Sequence, residues 1–103
     1  MRSALSGGGK LDFEWDQRKA ASNLRKHGVS FAEALSVFAD PLALIFDDED
    51  HSEKEEREII IGHSGTGRLL LVCFAAGETT IRVFSAREAT KRERNDYEEN
   101  IHS

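Results

Sequence analysis

Arg57-Glu58-Ile59-Ile60-Ile61-Gly62-His63-Ser64-Gly65-Thr66-Gly67-Arg68-Leu69-Leu70-Leu71-Val72-Cys73-Phe74-Ala75-Ala76-Gly77-Glu78-Thr79-Thr80-Ile81-Arg82-Val83-Phe84-Ser85 is the stretch on which the fold turns. It holds three runs rich in β-branched and large apolar residues: Arg57 to Gly62, Leu69 to Ala75 and Thr79 to Ser85. Gly62, Gly65 and Gly67 punctuate the first junction and Gly77 the second, which predicts an antiparallel meander. The segment Gly62 to Gly67 lacks the lysine and the following helix of a phosphate-binding loop, so it reads as a hairpin turn. A fourth strand, Leu42 to Phe46, precedes the meander.

Working outward, Leu11 to Trp15 reads as a short strand. Asp16 is then a helix N-cap, Ala20, Leu24 and His27 recur on one helical face, and Gly28 supplies a left-handed stop. Ser30 and Glu33 have capping-box spacing ahead of a second helix whose stripe is Phe31, Ala34, Leu35 and Phe38, closed by Asp40-Pro41. After the meander, Ser85 with Glu88 predicts a cap for a charged helix from about Ala86 to Asn100, with Ala89, Glu93, Tyr97 and Ile101 inward. Strands in succession with helices at either end define an α+β domain. Residues 1–10 read as a flexible leader and 11–103 as one domain.

At 39% hydrophobic and 32% charged, the 103 residues can build only a thin core, to which a partner could add burial. The single cysteine, Cys73, excludes an intrachain disulfide and a four-cysteine zinc site, and favours a reducing, cytoplasmic setting. The longest apolar run, Leu69 to Ala76, is far shorter than the roughly 20 residues a membrane helix requires. His51 and His63 have no ligand-like spacing, so no metal or other cofactor is expected. The net charge of -5 opposes broad attraction to nucleic acid. Much of it is local: Asp47, Asp48, Glu49, Asp50, Glu53, Glu55, Glu56 and Glu58 cluster together, and the rest of the chain is slightly basic.

Cationic and proton-transfer side chains gather at element ends: Lys26 and His27, Arg57, Arg68, and Arg82, Ser85 and Arg87. Cleavage of RNA without a metal calls for a base at the 2′-hydroxyl, cations for the extra phosphate charge and an acid for the leaving oxygen, and these residue types supply all three. Each also has an ordinary structural use, at a helix C-terminus or paired with a surface carboxylate. Strand alternation places Arg57, Ile59 and Ile61 on one face, and Ile81, Val83, Ser85 and Arg87 on one face of the last strand, with Arg82 opposite.

Phe13-Glu14-Trp15-Asp16, Lys19-Ala20, Asn23, Lys26-His27-Gly28-Val29-Ser30-Phe31 and Val37-Phe38-Ala39-Asp40-Pro41 together resemble the BrnT family of type II toxins. The resemblance continues through His51-Ser52, Glu55-Glu56-Arg57, Ile61-Gly62, Gly67-Arg68-Leu69-Leu70 and Ile81-Arg82-Val83-Phe84-Ser85-Ala86-Arg87, in the same order. Family members often carry a charged stretch before the last hairpin, where this chain has Ala75-Ala76-Gly77. The resemblance implies a RelE-like ribonuclease fold, RNA cleavage that halts translation, and neutralisation by a cognate antitoxin of DNA-binding type, through which larger oligomers would form. It singles out Lys26, His27, Arg57, Arg68, Arg82 and Arg87. The expected roles are phosphate stabilisation by Arg57 and Arg87, proton transfer by His27 with His51 in reserve, and RNA guidance by Lys26, Arg68 and Arg82. The rival reading is a non-catalytic module that binds a DNA-binding protein and tunes its repression. An independent nucleic-acid-binding domain fits less well, because the acidic balance comes without an aromatic and basic platform.

Overall fold

The meander forms where the glycines predict it, and it is the centre of a six-stranded sheet. A computed structural model describes residues 2–3, 11–48 and 56–102. In chain order the elements are β1 (Arg2–Ser3), β2 (Asp12–Glu14), α1 (Gln17–His27), α2 (Phe31–Ser36) running into a 3₁₀ turn (Val37–Ala39), β3 (Leu44–Asp47), β4 (Glu58–His63), β5 (Leu69–Ala76), β6 (Thr80–Glu88) and α3 (Lys91–His102). The sheet order is β1-β3-β4-β5-β6-β2. All neighbours are antiparallel except β2 and β6. The architecture is α+β, as expected. Part of the expected leader, Arg2–Ser3, pairs with β3, and residues 4–10 lie outside the described residues.

Local chemistry explains the helix ends. The Asp16 side chain accepts from the backbone N–H groups of Arg18 and Lys19, and Gly28 ends α1 with φ 69°, a conformation that costs a residue with a Cβ. Ser30 accepts from the Glu33 N–H at the start of α2. The buried centre of α1 is Asn23, while Leu24, expected to face inward, is 51% exposed. Asn23 donates to the carbonyls of Val29 and Ala86, at 2.9 and 2.7 Å, and accepts from the Ala86 N–H at 3.1 Å. A polar side chain is therefore what fastens α1 to β6.

Each face of the sheet carries its own apolar cluster. On one, Ile60, Leu70, Val72, Phe74, Ile81 and Val83 pack against Val29, Phe31, Ala34, Val37 and Phe38, with Phe38 edge-on to Phe74 at 5.0 Å between centroids. On the other, Ile61, Leu69 and Leu71 pack against Tyr97 of α3, with Leu44, Ile59, Ala89 and Ile101 at the margin.

Two details of β6 overturn expectations and determine which side chains reach each face of the sheet. Cys73 pairs with Ser85, yet Phe74 pairs with Val83, so Phe84 is an inserted bulge residue. Ile81 and Val83 therefore lie on the α1/α2 face with Ala86, whereas Ser85 and Arg87 lie on the opposite face and do not share one with Ile81 and Val83. Strand alternation presumes an unbroken ladder, and one extra residue reverses it. In addition, β6 runs on to Glu88, so the last helix starts at Lys91 and not near Ala86. Leu71 pairs with Arg87 and Leu70 with Glu88, and the capping box is Thr90 with Glu93, not Ser85 with Glu88.

Candidate functional site

The α3-side face of the sheet carries a pocket of about 360 Å³ lined by Lys19, Asp48, Arg57, Ile59, Leu71, Cys73, Phe84, Ser85 and Arg87. Its two arginines arrive by different routes. Arg57 leads into β4 and shares the face of Ile59 and Ile61, while the bulge at Phe84 turns Arg87 to that same side.

The Arg57 guanidinium carbon lies 4.0 Å from the centroid of the Phe84 ring, and Lys19 Nζ lies 5.3 Å from it. Such contacts contribute roughly 0.5–2 kcal/mol depending on desolvation, and here they also fix the guanidinium. Arg57 Nε is buried and has no hydrogen-bond partner among the described residues. A buried donor left unpaired costs about 1–3 kcal/mol.

Arg87 is held differently. Its Nη1 and Nη2 donate to the two carboxylate oxygens of Glu93 at 2.7 and 2.8 Å, and Nη1 also donates to the Glu88 carbonyl at 3.2 Å. The Arg87 hydrogen bonds hold the Glu93 carboxyl down at about 2, and Glu93 in turn raises Arg87.

The pocket floor is less cationic. Cys73 donates to Asp48 Oδ2 at 3.4 Å. Burial first, and then the Asp48 hydrogen bond, push the thiol up to about 11, so at neutral pH Cys73 is a thiol and not a nucleophilic thiolate. Ser85 is exposed at the rim. Among the described residues no group of three or more His, Cys, Asp or Glu side chains is arranged to hold a metal ion.

The remaining expected residues lie elsewhere. Arg82 pairs with Glu14 at 3.1 Å and lines an adjoining pocket that shares Lys19 and Phe84 with the first. Arg68 is on the α1/α2 side, where Nε donates to Glu33 at 2.9 Å, Nη1 to Glu88 at 2.8 Å and Nη2 to the Gly28 carbonyl at 3.1 Å and to the second Glu33 oxygen. Glu33 also accepts from Ser64 and Thr66 at 2.7 and 2.6 Å, and the Arg68 hydrogen bonds above all hold its carboxyl at about 2. Lys26 and His27 are exposed at the C-terminal end of α1 and do not line the pocket. At 1.5 Å per residue, His27 is roughly 12 Å along the helix axis from Lys19. His51 is outside the described residues.

Sequence reasoning alone does not single out Lys19, Asp48, Phe84 or Glu93 as site residues. Lys19 and Phe84 enter it only inside the matched blocks, and the bulge at Phe84 shows only in the strand register.

Residues 15–93 match the model of a family described as ribonuclease toxin, BrnT, of type II toxin–antitoxin system. Among solved structures, the chain is similar to the crystal structure of the Brucella abortus ribonuclease toxin, BrnT, with 26% identity and a TM-score of 0.61 over 80% of this chain and 100% of that one. A comparison with curated protein sequences finds no match.

Proposed function

This chain belongs to the BrnT family of ribonuclease toxins of type II toxin–antitoxin systems, and on that basis we propose that it cleaves RNA without a metal ion, in the pocket of Arg57, Arg87 and Lys19, and so halts translation. The observation that carries this reading is the convergence of two guanidiniums on one pocket, Arg57 stacked on Phe84 and Arg87 beside it. Attack of a ribose 2′-oxygen on the adjacent phosphorus, with its proton passing to solvent water and the bond from phosphorus to the 5′-oxygen breaking, places extra negative charge on the phosphate oxygens in the transition state. Two guanidiniums held in place before substrate arrives stabilise that charge without reorganising.

In this reading Arg57 and Arg87 take the phosphate, and Lys19, whose ammonium lies at the pocket, delivers a proton to the leaving oxygen. Proton transfer is reassigned from His27 because its helix carries it away from the pocket. Arg82, with Lys19 between it and the pocket, continues the track for the RNA backbone, while Lys26 lies outside it. Arg68 is committed to Glu33 and Glu88 and is a structural residue. RNA cleavage by the purified chain in excess EDTA tests the reading. Sustained cleavage is the expected result, and activity that returns only with a divalent metal contradicts it.

The cognate antitoxin is proposed to sit on a second, apolar groove of about 190 Å³ between β3 and α3, lined by Leu44, Phe46, Ile61, Leu71, Glu93, Asp96, Tyr97 and Asn100. Leu42 and Phe46, 57% and 41% exposed, extend this apolar surface. The groove shares Leu71 with the cationic pocket, and the Arg87–Glu93 pair joins the two, so an occupant would also obstruct RNA. A DNA-binding antitoxin would bring further copies together. Both toxin and antitoxin would act in the cytoplasm, where the RNA is; no helix among the described residues is long and apolar enough to cross a membrane.

A further inference from the structure

We infer that Glu93 is a positioning residue for RNA cleavage, holding Arg87 by one edge of its guanidinium so that the other edge faces the pocket. The inference rests on the reading of that pocket as the site of cleavage.

A guanidinium carries five N–H donors. Nη1 of Arg87 spends both of its hydrogens, on Glu93 Oε1 and on the Glu88 carbonyl, and Nη2 spends one on Glu93 Oε2. The Nε–H and the second Nη2–H remain, and they leave the group along a common edge. That edge is a two-pronged fork of the kind that matches two oxygens of a phosphate.

Glu93 is itself fixed from two directions. Its backbone N–H donates to Thr90 Oγ1 at 3.1 Å, and its Oε1 accepts from the Thr90 N–H at 2.9 Å, the reciprocal cap that starts α3. Further along, α3 is anchored on the sheet through Tyr97 and Ile101. The orientation of Arg87 is thus tied to the capped first turn of α3, although Arg87 belongs to the strand before it. An arginine side chain otherwise samples many rotamers, and the bidentate grip removes that freedom before RNA binds.

A carboxylate beside an arginine has a second conceivable effect, which is to neutralise it and compete with phosphate. The two effects separate in kinetics. If Glu93 positions Arg87, its loss lowers kcat; if it competes, its loss lowers KM and leaves kcat intact.

The experiment measures kcat and KM on a short fluorogenic RNA for the full chain and for Glu93→Ala, Glu93→Gln, Arg87→Ala, the double variant Arg87→Ala with Glu93→Ala, and Ile101→Ala. Misplacing a charge-stabilising group costs up to about 100-fold, so Glu93→Ala should lose about 10- to 100-fold in kcat with KM nearly unchanged. Glu93→Gln, which keeps one oxygen acceptor, should recover part of that. The double variant should be no slower than Arg87→Ala alone. Ile101→Ala loosens α3 without touching Glu93, and it should lower thermal stability while keeping kcat. Full kcat in Glu93→Ala, or a gain in apparent affinity as its only effect, overturns the inference, as does an Ile101→Ala protein that loses kcat to the same degree. An Arg87→Ala protein with full kcat overturns the reading of the pocket itself, whereas an inactive Arg87→Ala beside a fully active Glu93→Ala overturns only the role of Glu93.

Discussion

Arg68 and Arg87 are each gripped by a glutamate within hydrogen-bond distance, and they stand on opposite faces of one sheet. Arg68 meets Glu33, Glu88 and the Gly28 carbonyl, and four of its five N–H donors are consumed inside the fold. Arg87 gives three of its N–H donors to Glu93 and the Glu88 carbonyl, and it lines an open pocket beside Arg57. Residue type and a glutamate partner do not distinguish the two sites. What does is the number of donors left without an acceptor and whether they face a cavity. An arginine with most of its donors spent inside the fold is a fastener that ties the turn before β5 to α2, β6 and the end of α1, and one with more donors left over is available to an anion.

The largest contrast should come from the open side. Arg57→Ala and Arg87→Ala each remove a charge-stabilising donor, for which about 2.7–4 kcal/mol of barrier, or about 100- to 1,000-fold in rate, is the expected loss. RNA cleavage by purified protein measures it, and circular dichroism should show both variants folded. Full toxicity in folded variants of both kinds would remove the distinction between the two faces.

On the saturated side the effect should be on stability. Arg68→Ala leaves Glu33, whose side chain is 14% exposed, without its cation and should lower unfolding free energy by about 1–3 kcal/mol, read by urea denaturation. Cleavage per folded molecule should be unchanged.

Acid should strike both faces in the same direction. Glu33 and Glu93 are held at about 2 in the folded chain, below the ordinary 4.5, so their stabilisation is complete above that ordinary value and is lost as pH falls through about 2. If each pair contributes even about 1 kcal/mol, Tm shifts by about 4–8 °C for a domain of this size. Thermal melts between these two pH values should show the decline, and Glu33→Gln and Glu93→Gln should each flatten it. A profile that is the same in wild type and both variants would contradict the pairing.

The smallest effect is expected at the exposed end of α1. Lys26→Ala and His27→Ala should change cleavage by no more than about twofold, the scale of about 0.5 kcal/mol typical of surface changes. A loss comparable to that in Arg87→Ala would restore His27 as the proton-transfer residue.

The strands and caps of this fold are legible in the sequence because their signals are local. The β-branched run Ile59 to Ile61, the Asp16 cap, the Gly28 stop and the Ser30 cap each depend on a few neighbouring residues. The candidate site is legible only in part. Arg57 and Arg87 stand out in the sequence and do line one pocket, but the face of Arg87 depends on an inserted residue at Phe84, which periodicity cannot reveal. The start of α3 is misread from sequence because Ser85 with Glu88 and Thr90 with Glu93 have the same capping spacing, and pairing of Arg87 and Glu88 across to β5 decides between them. Lys19, Asp48 and Glu93 join the pocket or its support from three distant parts of the chain, which only tertiary packing brings together. Arg68 looks like a phosphate contact for the same reason: the acceptors that occupy it come from α2, β6 and the Gly28 cap of α1.

The most direct test tracks the arginine Nε–H resonances by ¹⁵N–¹H spectroscopy while a non-cleavable RNA carrying 2′-O-methyl groups is titrated into the protein. The Nε–H signals of Arg57 and Arg87 should shift and saturate together, with that of Arg68 unmoved. Movement of Arg68 with Arg57 and Arg87 unchanged would place the RNA on the other face of the sheet and contradict the assignment of the open pocket as its site.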